Sequence, residues 1–520
     1  MGDIRKVLIS DSVDPKCKSV LEAKGIEVTL NTKLSPAELV AEIPNYDGLI
    51  VRSATKVTAE VIKAGKNLKI IGRAGTGVDN IDIKAATECG VIVMNTPGGN
   101  TLSAAEHTCT LMVCLARQVP QAAASMREGR WDRKKYMGIE LMGKTLGIIG
   151  LGRIGREVAT RMQSFGVRTV GYDPIVPAEA AKEFDVEFFE LNDLWPECDF
   201  ITVHTPLIPQ TRGLLGDETF AKCKKGVRVI NCARGGIIDE AALLRALQSG
   251  QCAGAALDVF EQEPPQNTEL VQHPNVIPVC HLGASTVEAQ SRVAVEIAEQ
   301  FVDFNEGKSL FGAINANAMV KALSPSAKSL VKLGERLGRL VEVLYGLEAC
   351  KELSIVAQGP DYSEAPSFLP AAILSGVLAR DASGVTLNLV NAPDFAKKKG
   401  ITAKATYSAT PDARHSNSIT VSVGGHVFGG TVIGNFSPVF TELDGKQLHS
   451  PINATGNIVI GQGPAGSAPK FMVTMAEHGI STYACSGSDG IGMLDVSAVV
   501  PEEVFNKIRS LPDVKSADML

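Results

Sequence analysis

The stretch from Thr145 to Ala159, TLGIIGLGRIGREVA, decides the fold: an apolar run of strand character ends at Gly150, and Gly150, Gly152 and Gly155 form a GxGxxG where a helical pattern begins. Glycines at these places allow a tight turn and let backbone N–H groups approach a pyrophosphate at the positive end of the helix. A turn with close helix packing needs the same glycines, so the motif gains weight only from its neighbours. The next strand-like run, TVGYD, ends in Asp173, 18 residues after Gly155. An acidic side chain there accepts hydrogen bonds from an adenosine ribose and repels a 2′-phosphate, which points to NAD rather than NADP.

Working outward, strand and helix patterns alternate through the first 315 residues, as in parallel sheets covered by helices. KVLIS, EVTL, GLIV, KIIGRAG and VIVMNTP read as buried strands of one unit. A long helical pattern from Ser103 to Gly129 precedes a second series that starts with TLGIIG and ends with NVIPVC. The expectation is α/β, with two doubly wound, Rossmann-like domains. The helical run TVEAQSRVAVEIAEQFVDFNEG after His281 suits either a return to the first unit or a simple sequential order.

Beyond Asn315 the texture changes to a helix, SAKSLVKLGERLGRLVEVLYG, and mixed segments including the strand-like ITVSVGGHVFGGTVIG and a turn at DGKQ. This is expected to be an α+β intervening domain. The last stretch gives a β-α-β-β-α-β order from NIVIGQG to VKSADML, the ferredoxin-like plan.

Composition narrows the class. At 520 residues, 45% hydrophobic and 21% charged, the chain is an ordinary globular protein of several domains. Its net charge of −6 argues against nucleic-acid partners. Its 11 cysteines lie scattered in apolar runs without CxxC pairs, as reduced cytosolic thiols do, and no metal is expected. No apolar run reaches the ~18–20 residues of a membrane span. A cytoplasmic location without membrane association is the expectation.

Three polar groups come after short apolar runs: Arg234 in VRVINCARGG, Glu263 in AALDVFEQEPP and His281 in NVIPVCHLGAST. A loop arginine can simply pair with a carboxylate, Glu263 can be an exposed turn residue, and His281 a structural histidine. Together they suit oxidation of a 2-hydroxy acid. Arg234, beside two glycines, can dock a substrate carboxylate bidentately, His281 can take the hydroxyl proton, and Glu263 can hold the imidazole tautomer.

GLGRIGRE, NCARGG, ALDVFEQEPP, HLGAST and the upstream GRAGTGVDN resemble the D-isomer-specific 2-hydroxyacid dehydrogenase family, in its long, three-part form. That resemblance implies a small-molecule substrate, 3-phospho-D-glycerate, oxidised with NAD in the first step of L-serine biosynthesis. It also implies a discontinuous substrate-binding domain of residues 1–98 plus 286–314, an NAD-binding domain of 99–285, an intervening domain of 315–447 and an ACT-like regulatory domain of 448–520. Catalytic roles fall to Arg234, Glu263 and His281. The cofactor set becomes Thr76, Gly150, Gly152, Arg153, Ile154, Gly155, Asp173, Thr205, Pro206, Cys232, Ala233, Arg234, Asp258, His281, Gly283 and Ala284. Arg52, Ser53, Arg73, Gly75 and Asn100 face the substrate, and Arg133 reaches the site of a neighbouring subunit in a homodimer or homotetramer.

The chain departs from the family pattern twice. Cys280 stands where the family commonly has proline before the catalytic histidine, and the Gly-rich IVIGQGPAG replaces the His-x-Asn of serine-sensing relatives. Two other functions fit the same trio: reduction of 2-oxoglutarate, glyoxylate or hydroxypyruvate, and an NAD(H)-sensing scaffold like the corepressors that share this dehydrogenase core. The ordered two-part tail argues against the scaffold.

Overall fold

The computed structural model describes residues 3–382, 386–411, 414–434, 436–464, 467–488 and 490–520. Ala465 and Gly466 of the Gly-rich run lie outside them. Two compact units emerge, Met1–Asn95 with Ile297–Leu520, and Thr96–Glu296.

Unit Thr96–Glu296 is built on one parallel sheet of seven strands, in the spatial order Val276–Pro278, Cys252–Leu257, Val227–Asn231, Phe200–Val203, Thr145–Ile149, Arg168–Tyr172 and Glu187–Phe188. The four residues of Phe200–Val203 are all buried, as are the five of Thr145–Ile149, which explains their unbroken apolar character. Strand order reverses between these two, and ligand crevices of open α/β sheets lie at the carboxyl ends beside such a switch. Pro278 sits on the edge strand, where its missing N–H leaves no ladder bond unmade.

The helical pattern from Ser103 to Gly129 is not one helix. It forms Thr101–Arg117 and Val119–Arg127, separated by Gln118 in a left-handed conformation with φ 52°. Pro120 is the reason: it has no N–H to bond the Ala116 carbonyl four residues back and its ring would clash with that carbonyl, so a new helix starts with proline in its first turn.

In the other unit, a five-stranded parallel sheet runs Glu27–Leu30, Lys6–Ile9, Gly48–Val51, Ile70–Arg73 and Ile92–Asn95. The second half of helix Val287–Glu306 belongs here, with Phe301 and Ile297 lying directly over Gly48 and Gly72. Asn315 then closes the edge, its Oδ1 accepting from Val93 N at 2.8 Å and its Nδ2 donating to Val91 O at 2.9 Å.

Two further sheets complete this unit. Six strands between Glu352 and Asn453 pair antiparallel, except for the parallel pair Glu352–Gln358 and Thr402–Ser408, beside the helix Pro325–Tyr345. The Asp444-Gly445 turn of the DGKQ run joins the last two, both residues having positive φ. The final sheet is antiparallel, in the order Thr482–Ser488, Ile491–Val496, Asn457–Gln462 and Ser516–Met519, with helices Ser467–Ala476 and Glu502–Arg509. Among the described residues no helix is long and apolar enough to cross a membrane.

Candidate active site

Arg234, Glu263 and His281 stand just beyond three neighbouring strands, at the carboxyl-end edge of the seven-stranded sheet. His281 Nδ1 lies 2.8 Å from Glu263 Oε2, while Glu263 Oε1 accepts from Phe260 N at 3.2 Å. Both side chains keep about half their surface open (48% and 40%), so the far imidazole nitrogen is free to meet a small molecule from solvent.

His281 has φ 56°, a left-handed conformation that costs a non-glycine residue of order 1 kcal/mol and needs its surroundings to hold it. Asp258 provides the hold. Its carbonyl accepts from His281 N at 2.9 Å, its Oδ1 from Leu282 N at 2.6 Å, and its Oδ2 from Gly283 N at 2.8 Å. His107 Nε2, from helix Thr101–Arg117, lies 3.1 Å from the same Oδ1. Burial alone would raise the Asp258 pKa, but hydrogen bonds from His107, Leu282 and Gly283 outweigh it and hold the carboxyl below its ordinary value.

The arginine loop is tied down by Asn231, whose Nδ2 donates to Arg234 O at 2.9 Å and whose Oδ1 accepts from Ala233 N at 3.0 Å. Arg234 Nη1 donates to Ala233 O at 2.6 Å. Gly235 presses on the Glu263 loop so closely that a methyl group there would overlap the Phe260 carbonyl and stand 2.5 Å from Glu261 N. The arginine and glutamate loops therefore fix each other.

The dinucleotide turn behaves as its glycines require. Gly150 has φ 99° and a methyl group on it would meet the His204 carbonyl oxygen at 2.6 Å, whereas Gly152, at the start of helix Arg153–Gln163, faces open space. Arg153 and Ile154 open that helix, and Gly155 packs against the Gly150 carbonyl. Asp173, the expected ribose ligand, already has three backbone partners: Oδ2 accepts from Leu151 N at 2.9 Å, and Oδ1 from Ile175 N at 2.8 Å and Val176 N at 3.2 Å. A carboxylate has about four acceptor positions, so one remains for a ligand.

Across the strand switch, the Thr205 hydroxyl is buried without a hydrogen-bond partner, and Pro206 is next in the chain. An orphaned hydroxyl, an open glycine face and a spare carboxylate position suit a dinucleotide lying along this edge. Cys232 adjoins Asp258, and burial pushes its thiol up to about 12, so it stays neutral. Ala284 O accepts from Gln290 Nε2 at 2.7 Å.

The substrate candidates fall in both units. In the first, Val51 pairs with Arg73, which brings Arg52 and Arg73 to one sheet edge with Ser53, Gly75 and Thr76 on the loops beyond. Arg52 N donates to Asp11 Oδ2 at 2.6 Å and Arg52 Nη1 to Ser12 O at 3.2 Å, and Arg73 Nη1 donates to Gly77 O. In the second, Asn100 stands at the start of helix Thr101–Arg117 and Arg133 lies on an exposed turn. Sequence reading passed over Asn231, which sits one residue before CARGG, and His107, which looked like part of an apolar helix face.

Fold and site define a dehydrogenase of 2-hydroxy acids. The D-isomer specific 2-hydroxyacid dehydrogenase NAD binding domain family matches residues 109–283, and the D-3-phosphoglycerate dehydrogenase intervening domain matches residues 326–443. The chain is 58% identical over 407 residues to D-3-phosphoglycerate dehydrogenase of Rattus norvegicus, covering 78% of this chain and 76% of that protein. Against D-3-phosphoglycerate dehydrogenase of Bacillus subtilis it is 40% identical over 526 residues, 99% of each. The chain belongs to the D-3-phosphoglycerate dehydrogenases, within the D-isomer specific 2-hydroxyacid dehydrogenase family. Among solved structures, D-lactate dehydrogenase from Aquifex aeolicus complexed with NAD and lactic acid is 27% identical with a TM-score of 0.53, covering 60% of this chain and 99% of that one.

Proposed function

We propose that this chain oxidises 3-phospho-D-glycerate to 3-phosphohydroxypyruvate with NAD, the first step of L-serine biosynthesis. The Glu263–His281 pair at 2.8 Å carries the reading of the reaction. The substrate rests on the likeness, over nearly the whole chain, to proteins named D-3-phosphoglycerate dehydrogenase.

Neutral His281 accepts the C2 hydroxyl proton at Nε2, because its Nδ1–H is directed at Glu263. Glu263 fixes that tautomer and stabilises the imidazolium once the proton arrives. Arg234 pairs with the C1 carboxylate and polarises the forming carbonyl. When bound, NAD supplies the acceptor for the hydride leaving C2. Gly150, Gly152, Arg153, Ile154 and Gly155 hold its pyrophosphate, Asp173 its ribose, and Thr76, Thr205, Pro206, Cys232, Ala233, Asp258 and His281 to Ala284 the remainder.

Arg52, Ser53, Arg73 and Gly75 bind the substrate phosphate and its neighbours, with Asn100. Arg133 completes the site of a second copy in a homodimer or homotetramer, supported by the exposed Trp131, Met137 and Met142 around it in sequence. The β-α-β-β-α-β series from Asn457 to Met519, within the expected domain 448–520, is read as a ferredoxin-like, ACT-type regulatory domain, and the four-part division of the chain is proposed with it. Eleven cysteines, all free, suit the cytoplasm.

The test is NADH formation with 3-phosphoglycerate, glycerate, lactate and 2-hydroxyglutarate in parallel. A clear preference for 3-phosphoglycerate is expected. Equal or higher rates with another acid favour the broader reductase function, and no turnover with any favours the scaffold.

A further inference from the structure

We propose that His107 is a positioning residue for this reaction: through Asp258 it holds the backbone of the His281 loop in the conformation that presents the imidazole. The inference rests on the reading of His281 as the base. Its chain of contacts is short and continuous. His107 Nε2 meets Asp258 Oδ1 at 3.1 Å, and the two Asp258 oxygens take Leu282 N at 2.6 Å and Gly283 N at 2.8 Å. Those N–H groups belong to the two residues directly after His281, whose own φ of 56° is unfavourable without an external hold.

Asp258 is fully buried, so its ionised form needs a compensating donor besides the two backbone groups. His107, with 19% of its side chain exposed, supplies it from a helix that carries none of the catalytic trio. Without that donor the carboxyl takes up a proton more readily, one oxygen ceases to be a pure acceptor, and the clamp on Leu282 and Gly283 loosens.

An imidazole nitrogen, the Cys232 thiol and an Asp258 oxygen lie within 4.8 Å of one another, the arrangement of a metal site. In this structure the Asp258 oxygens accept from Leu282 N and Gly283 N and meet His107 Nε2, and it is this hydrogen-bonded arrangement that ties His107 to the His281 loop.

The experiment compares His107→Leu with His107→Gln in the full chain, the glutamine being able to donate a side-chain N–H to Asp258. Pre-steady-state NADH formation with substrate in excess separates the burst rate constant from the burst amplitude, which counts active sites. A residue that merely keeps the protein folded changes the amplitude. A positioning residue changes the rate constant.

The leucine variant is expected to lose ~10–100-fold in the rate constant, as misplacement of a reacting group by about 1 Å does, with NADH affinity changed less than about threefold and glutamine restoring most of the loss. If leucine fails to fold, His107→Phe keeps the ring volume without the donor and carries the same comparison. An unchanged rate constant, or a fall in amplitude only, overturns the inference. If His281→Asn itself retains turnover, the reading of the base is what fails. His281→Asn inactive beside a wild-type rate constant in His107→Leu sinks the positioning role alone.

Discussion

Replacing Gly235 by alanine tests whether the arginine and glutamate loops hold each other. Backbone strain is no obstacle, since Gly235 is not among the positive-φ residues. The obstacle is contact: the new methyl group overlaps the Phe260 carbonyl and stands 2.5 Å from Glu261 N, against the 3.0 Å that real Cβ atoms keep. Relief requires the 260–261 backbone to retreat by about 1 Å. Phe260 N is bonded to Glu263 Oε1, so the retreat drags Glu263 away from His281.

A displacement of about 1 Å at a reacting group costs ~10²-fold in rate, and overpacking of this kind costs roughly 1–3 kcal/mol in stability. Gly250→Ala is the matched control: Gly250 has φ 75° and nothing within 4 Å, so alanine there brings strain without collision. Steady-state NADH formation and thermal melting of both variants decide the matter. Similar losses of stability are expected, with kcat falling only in Gly235→Ala. Wild-type kcat in Gly235→Ala would refute the coupling of the two loops.

Other changes separate roles. His281→Asn is expected to lower kcat by ~10²–10⁴-fold, the usual share of general acid–base transfer, while the melting temperature stays put; a retained kcat removes His281 as the base. Arg52→Ala should cost 3-phosphoglycerate much more than glycerate in kcat/KM, and equal losses would place Arg52 away from the phosphate. Burial pulls the pKa of His204 down to about 4. The unfolded chain, with histidine near 6.5, then binds the extra proton between these values, so folding stability is full above about pH 6.5 and falls as pH drops towards 4. Urea titrations of His204→Asn should show a flatter profile across that window, and an identical slope would contradict the burial of an uncharged ring.

The trio was legible because a parallel strand ends where an apolar run gives way to glycine, proline and polar residues, and that boundary is written locally at Arg234, Glu263 and His281. Their meeting was not, since Glu263 and His281 are 18 positions apart and only the strand order makes their loops neighbours. His107 was harder still. Its partner Asp258 lies 151 positions away, and its place on a largely apolar helix carries the signature of core packing. The break at Gln118 was readable in principle from Pro120, but the flanking run of apolar and alanine residues masked it. Asp173 was expected from its spacing to meet a ribose, whereas its work in pinning Leu151 depends on a turn geometry that spacing does not encode.

The unit made of Met1–Asn95 and Ile297–Leu520 is interrupted by a complete second unit. Its five-stranded sheet cannot be sealed until Ala313 pairs with Met94 and Asn315 caps Val91 and Val93. On a ribosome, the first sheet must therefore wait with an open edge while the inserted unit emerges. Closing a flexible loop costs only ~0.6 kcal/mol more for each doubling of its length, but the search is slow when contacts are distant in sequence. An inserted unit that folds as a compact body replaces a floppy loop, which shortens the search that pairs Ala313 with Met94.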